Sequence, residues 1–417
     1  MSKRIRPNYV PEDMPDVPYA SSFSADASTA IIDSVPVERI EPLPEESYAD
    51  LMDRFILPVL ARCRHDLWTP VEGDFVPIED VGPETRSGIH SVLYSGADFV
   101  RCLSFVARCR ADGELGAVTL DELPLQREYP DIVHSRKKKT AGTIVVSMGF
   151  IESEIKFREL TWYFLQFGFD VLVVEHRGQG YSSRETSDPN VQSMTDWRNY
   201  ETDFVAALRQ ARRVFNLPSP LLLYGHSMGA AIAAAIEEDY SDLFTRAVLS
   251  APMMMPQLKA PATVLYPVVA ALVAAGKGKE RVFSFPDFNP DSASKDKGAS
   301  SLARLSWYYA HRAGDPHWHL SSPSYDWGLA ALRMDRYVLS PHNVRRIAVP
   351  TLLFQAGLDS WVRPSAENLF VDEARRSGVP IRFYNVPQGR HELFFEKPPI
   401  LAKYLGTLLG FFLTASR

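Results

Sequence analysis

Beyond residue 140 the chain alternates short, continuous apolar runs with stretches of helical periodicity, and this alternation constrains the fold more than any other feature. The runs are GTIVVSMG (142–149), FDVLVVEHRG (169–178), PLLLYGHS (220–227), RAVLSAP (246–252), VPTLLFQAG (349–357) and IRFYNVP (381–387). Between them lie helical patterns through Leu160 and Phe164, through Phe204 and Leu208, through the alanines after Gly229, and through Phe370 and Ala374. A last apolar helix is expected over about 399–413. Strands that are apolar throughout, rather than alternating, belong to a parallel sheet buried on both faces, with helices as crossovers. The expected class is therefore α/β, a mostly parallel central sheet with helices on both faces.

The alternation breaks over 256–344, a segment rich in proline, aromatic and polar residues without clean strand runs. That divides the sheet-forming part into 126–255 and 345–417, with 256–344 as an insertion. Residues 1–45 hold seven prolines and no sustained period, which predicts an extended arm. Residues 46–125 are expected to form a helical extension. In it Leu51, Phe55, Val59 and Cys63 mark one face of a helix from Glu46 to Trp68, kinked at Pro58. Val100, Phe105, Val106 and Cys109 mark a second helix over about 97–110.

Composition narrows the function classes. The chain of 417 residues is 46% hydrophobic and carries 45 basic against 51 acidic residues, a net charge of −6. No domain-wide basic surface is available for nucleic acid. The one basic run, Arg136 to Lys139, is short and reads as a solvated loop. Three cysteines, Cys63, Cys102 and Cys109, without CxxC spacing predict reduced thiols, a cytoplasmic address and no zinc site. No signal peptide is visible in the first residues. The run Ala260 to Ala275 is short for a membrane span and carries Pro261 and Pro267. It is expected either to touch a bilayer or to line an apolar pocket.

The stretch GHSMG (225–229) places a serine between two glycines, after a strand and before an alanine-rich helix. G-x-S-x-G is a weak signal alone, but that context is the one a nucleophile elbow requires. There the glycines permit a sharp turn and close packing of strand on helix, and the serine hydroxyl projects from the apex. A serine needs a base to take its proton and an acid to orient that base, in the chain order Ser, acid, His. His391 lies in the loop QGRHE before the final helix, and Asp359 just past the preceding strand. Asp326, Asp335 and Asp372 are worse placed, in the insertion or within a helix. The expected catalytic residues are Ser227, Asp359 and His391, with the backbone N–H groups of Met228 and Phe150 as oxyanion donors.

The segments GFIES (149–153), EHRGQGYSS (175–183), GHSMG, SAPM (250–253), PSYDW (323–327) and RHELFFEK (390–397) together resemble serine α/β-hydrolases of the lysophospholipase and monoacylglycerol-lipase branch. The resemblance spans about residues 140–417. It implies the same triad and oxyanion pair, and a cap at 256–344 over an acyl pocket. Glu175 stands where that branch usually has Asp, Ala230 where a third Gly is common, and Ser147-Met148 where His or Pro is usual.

The resulting expectation is hydrolysis of a carboxylic ester in a monoacyl lipid, a lysophospholipid or a monoacylglycerol, through an acyl-enzyme. It needs no cofactor and no metal, and it brings a peripheral membrane contact through the cap. His311, His317 and His319 match no ligand spacing and are expected as polar residues at the pocket rim. HRGQGYSS lacks a Walker lysine and is expected as a turn beneath the site. Met253 to Met255 fit an acyl lining and core packing equally. Two alternatives stay open: an esterase or thioesterase for small substrates, and a non-catalytic binding protein on the same scaffold.

Overall fold

A computed structural model describes residues 35–76, 88–102, 140–283 and 285–415. Its strands are β1 (Arg64–Thr69), β2 (Ile89–Tyr94), β3 (Gly142–Ser147), β4 (Phe169–Val174), β5 (Val191–Gln192), β6 (Leu221–His226), β7 (Arg246–Ser250), β8 (Ser322–Pro323), β9 (Thr351–Ala356) and β10 (Ile381–Val386). Eight of them form one sheet in the order β1-β2-β4-β3-β6-β7-β9-β10, while β5 and β8 pair separately. From β4 to β10 every neighbouring pair is parallel; β1–β2 and β2–β4 are antiparallel. All six apolar runs are strands of this sheet.

The helices are α1 (Tyr48–Leu51), α2 (Leu57–Cys63), α3 (Arg158–Gln166), α4 (Arg198–Phe215), α5 (Met228–Asp239), α6 (Ala262–Leu272), α7 (Leu302–Ala313), α8 (Tyr325–Val338), α9 (Pro341–Val344), α10 (Pro364–Arg376) and α11 (Pro398–Leu413). Because successive strand residues point to opposite faces, each central strand feeds two cores. Ile144, Val146, Val171, Val173, Leu222 and Tyr224 pack with residues of α2, α3 and α11. Val145, Leu172, Val174, Leu221 and Leu223 pack with residues of α4, α5 and α10 on the other side.

The N-terminal extension departs from expectation. Its helix stops at Cys63, and residues 64–68, expected as helix, lie in β1. A π-turn over Met52–Ile56 precedes α2. Leu51, Met52, Ile56 and Leu57 all keep right-handed helical angles, so the helix runs on from α1 into α2, and Pro58, which lacks an N–H, follows directly on the π-turn. The extension is therefore not wholly helical: β1 and β2 extend the sheet past β4. Residues 96–102 are helical, as expected for the start of 97–110. The arm over 1–34, Phe105, Val106, Cys109 and the basic run 136–139 lie outside the described residues.

The described part of the arm runs along α11. Glu38 N–H donates to Gly406 O at 2.9 Å. A Cβ built on Gly410 would fall 1.9 Å from Pro36 O, so only glycine admits the chain there. Leu43 is buried, and its carbonyl accepts from Arg304 of α7 at 2.9 Å. Arg304 also forms a buried ion pair with Glu159 of α3 at 2.7 Å.

The inserted segment supplies α6 to α9. Ser301 and Ser324 start α7 and α8 by accepting the N–H of Arg304 and Trp327. The apolar run at 260–275 forms α6 and a following π-turn, and it lies at the surface, with Val264 54% and Val268 53% exposed. Among the described residues no helix is long and apolar enough to cross a membrane.

Candidate active site

At the end of β6 the chain turns from strand to helix within one residue. Ser227 takes φ 53°, ψ −121°, a strained conformation for a residue with a side chain. Its hydroxyl makes no capping hydrogen bond to α5. The flanking glycines are required by contact. A Cβ on Gly225 would sit 2.6 Å from Ala230 Cα, and one on Gly229 would sit 2.2 Å from Ser147 O and 2.3 Å from Met148 O. Strand, helix and the loop after β3 thus meet closer than any side chain allows.

The hydroxyl of Ser227 lies 2.8 Å from His391 Nε2, and His391 Nδ1 lies 2.7 Å from Asp359 Oδ2. Ser227 is 8% and His391 6% exposed. Asp359, in the turn after β9, accepts the N–H of Trp361 at 2.8 Å and of Val362 at 3.0 Å through its other oxygen. The carboxylate is fixed at both oxygens. It dictates the tautomer of His391: Nδ1 carries the proton, leaving the Nε2 lone pair aimed at the serine. The turn holding Asp359 is joined to the start of the insertion, since Gln257 N–H donates to Trp361 O and Arg363 N–H to Met255 O.

Met228 N–H opens α5, where unpaired amides and the helix dipole favour a negative oxygen. Phe150 sits in the loop after β3. No intramolecular backbone acceptor takes either amide among the described residues. The Phe150 ring packs against Trp327 of α8, centroids 4.0 Å apart, so the insertion reaches the edge of the site.

Around the triad lie His226, Glu152, Gln179 and Glu392, from four of the quoted segments, and Lys156, from none of them. His226 precedes the serine, its ring 4.9 Å from that of His391. Burial, with His391 and Lys156 nearby, holds its pKa far below the usual value, so it remains neutral. Glu152, Lys156 and Glu392 form a buried chain of charge: Lys156 Nζ donates to Glu152 at 2.7 Å and to Glu392 at 2.5 Å. Burial pushes the Glu392 carboxyl up to about 7 although Lys156 opposes it. Gln179, from the segment HRGQGYSS, bonds the Phe150 loop.

Of the other singled-out residues, Met253 adjoins the nucleophile, its N–H donating to Ser227 O at 2.9 Å. His311 pairs with Asp53, His317 with Asp315, and His319 stacks on Phe288. Met253, Met254 and Met255 are buried in the core on the α5 face, with Met228 and Met334.

The model of the serine aminopeptidase S33 family matches residues 138–398. The chain belongs to this family. It is 27% identical over 320 residues to lysophospholipase L2 of Escherichia coli K12, covering 73% of this chain and 88% of that protein. Two solved structures are similar in fold. A carboxyl esterase from Bacillus coagulans aligns with TM-score 0.56 at 13% identity, covering 85% of this chain and 99% of the esterase. A monoacylglycerol lipase from Paleococcus ferrophilus aligns with TM-score 0.52 at 16% identity, covering 66% and 96%. The architecture is the α/β-hydrolase fold.

Proposed function

We propose that this protein is a serine hydrolase that cleaves the carboxylic ester of a monoacyl lipid, with Ser227, His391 and Asp359 as its catalytic triad. The observation carrying the chemistry is the hydrogen-bonded chain from Asp359 through His391 to a serine held on a strained turn. His391 Nε2 removes the hydroxyl proton as Ser227 Oγ adds to the ester carbonyl. The oxyanion accepts from Phe150 and Met228 N–H. The intermediate collapses, the C–O bond to the alcohol breaks, and His391 gives its proton to the departing oxygen. Water then adds to the acyl-serine by the same proton route, and the carboxylic acid leaves.

The substrate class is supported by the similarity to a lysophospholipase over most of the chain. The segment 256–344 serves as a cap between the two halves of the hydrolase core, and α6 presents its exposed valines to a lipid surface. A serine triad suits acyl transfer generally, and the family is described as a peptidase. An aminoacyl arylamide is therefore the control substrate. The test compares acyl release by wild type and Ser227→Ala from a lysophospholipid, a monoacylglycerol, a short aryl ester and that arylamide. Release from either lipid, lost in the variant, is expected. Turnover of only the short ester would keep the triad and remove the lipid assignment; turnover of only the arylamide would replace ester with amide hydrolysis.

A further inference from the structure

An oxyanion donor works only if its N–H points at one place, and the Phe150 amide sits in a loop, where nothing in the sheet fixes it. The planarity of the peptide supplies the missing constraint. The C=O of Gly149 and the N–H of Phe150 belong to one rigid unit and point in opposite directions, so holding one aims the other. Gln179 holds that carbonyl: its Nε2 donates to Gly149 O at 3.1 Å. Its Oε1 accepts the N–H of Glu152 at 3.2 Å, so one side chain clamps both ends of the turn 149–152. Glu152 completes the clamp from within, accepting Gly149 N–H through Oε2 at 2.5 Å.

The clamp is itself anchored. Gln179 is fully buried, and Glu152 is nearly so. The second oxygen of Glu152 takes the ammonium of Lys156, whose other carboxylate partner is Glu392, the residue after His391. Glu392 N–H donates to Gly298 O at 2.7 Å, fixing the histidine loop in turn. One buried cation thus joins the loop carrying the oxyanion amide to the loop carrying the imidazole. Three charged side chains taken from water are costly unless each is paired. A merely structural tie between two loops needs only apolar contact.

We propose that Gln179 and Glu152 are positioning residues for the reaction: together they orient the Gly149–Phe150 peptide so that the Phe150 N–H meets the oxyanion. This rests on the hydrolase function proposed above. Neither side chain touches the substrate; both act through the backbone of the loop.

The probe is an alkyl trifluoromethyl ketone, to whose carbonyl carbon Ser227 Oγ adds as His391 Nε2 takes the hydroxyl proton, leaving a hemiketal oxyanion; it is compared with the matching unreactive alkyl ether. In Gln179→Leu the ketone is expected to bind about 100- to 1000-fold more weakly and kcat to fall by a similar factor, the range seen when one oxyanion donor is lost. KM and ether binding are expected to stay within about threefold, because uniform binding is untouched. Gln179→Glu, which keeps the shape and the acceptor for Glu152 N–H but has no donor when ionised, is expected to lose ketone affinity equally and serves if the leucine variant does not fold. Glu152→Gln keeps an acceptor for Gly149 N–H and is expected to retain most of kcat, whereas Glu152→Ala is not. Wild-type ketone affinity in both Gln179 variants would overturn the proposal, as would equal losses of ketone and ether binding. If wild type itself forms no hemiketal that Ser227→Ala abolishes, the hydrolase function fails instead, and the two failures are separate readouts.

Discussion

His90 of β2 offers a quantitative test of how the N-terminal strands are held to the core. Its Nδ1 lies 2.8 Å from Glu175 Oε2 and its Nε2 lies 2.8 Å from Asp66 Oδ1, with the side chain only 4% exposed. A neutral imidazole carries one N–H, so carboxylates on both nitrogens call for the doubly protonated ring. Burial alone would lower its pKa. The hydrogen bonds to Asp66 and Glu175 outweigh burial and raise it to about 9, from an ordinary value of 6.5. A rise of that size corresponds to about 3 kcal/mol. Asp66 is half exposed, and solvent screens its share, so about 2 kcal/mol is the expected contribution. A raised folded-state pKa means the folded protein holds the proton longer than the unfolded chain. The stabilisation is complete below pH 6.5 and drains away as pH climbs to about 9. Urea unfolding of wild type and His90→Gln at pH 6 and pH 9.5 should show the gap between them narrowing by about 2 kcal/mol. Carboxylates elsewhere titrate in both proteins and cancel in the difference. The NMR titration midpoint of the His90 ring checks the cause directly. A midpoint at or below 6.5, or equal pH slopes in the two proteins, would refute the reasoning.

Three other perturbations probe the site. Asp359→Asn keeps an oxygen for the Trp361 and Val362 amides but turns an NH2 toward His391 Nδ1, forcing the proton onto Nε2; kcat should fall about 10⁴-fold with the unfolding midpoint unchanged. Gly229→Ala drives a methyl into two backbone oxygens; a loss of about 3 kcal/mol in urea unfolding, with a drop in kcat, is expected, and a fully active, equally stable variant would contradict the contact. Val264→Asp with Val268→Asp, on the exposed face of α6, should reduce co-flotation with vesicles at least about tenfold, as two buried charges would, and leave short-ester turnover unchanged.

The parallel strands were legible because double burial leaves them uniformly apolar, and the elbow because Gly225 and Gly229 have no substitute at those contacts. The two N-terminal strands were not. β1 opens with Arg64, His65 and Asp66 because it is an edge strand, solvated on one side. β2 is fully buried yet carries His90 and Ser91, the first of which is there to meet Glu175. The helical period of Leu51, Phe55, Val59 and Cys63 is genuine, and nothing in the next five residues announces its end. The Gln179, Glu152, Lys156 and Glu392 linkage was also invisible. Buried charges look like surface charges in a sequence, and Lys156 and Glu392 lie 236 positions apart. Glu175, which departs from the resembled pattern, is the carboxylate that His90 and the Tyr181 amide use.

The seat of the arm on Gly406 and Gly410 has a consequence for the order in which the chain is made. Residues 36–38 leave the ribosome long before α11, the helix into which the groove that receives them is cut. Until α11 follows, that stretch lacks its seat, and β2 has only β1 beside it until Phe169–Val174 follows it out. Contacts between such distant segments form late and slowly. Ribosome-stalled chains halted before Pro398 should therefore remain open to protease around residues 36–38 while β3, β4 and β6 are already protected. The arm would act as a latch that closes only once α11 has been made.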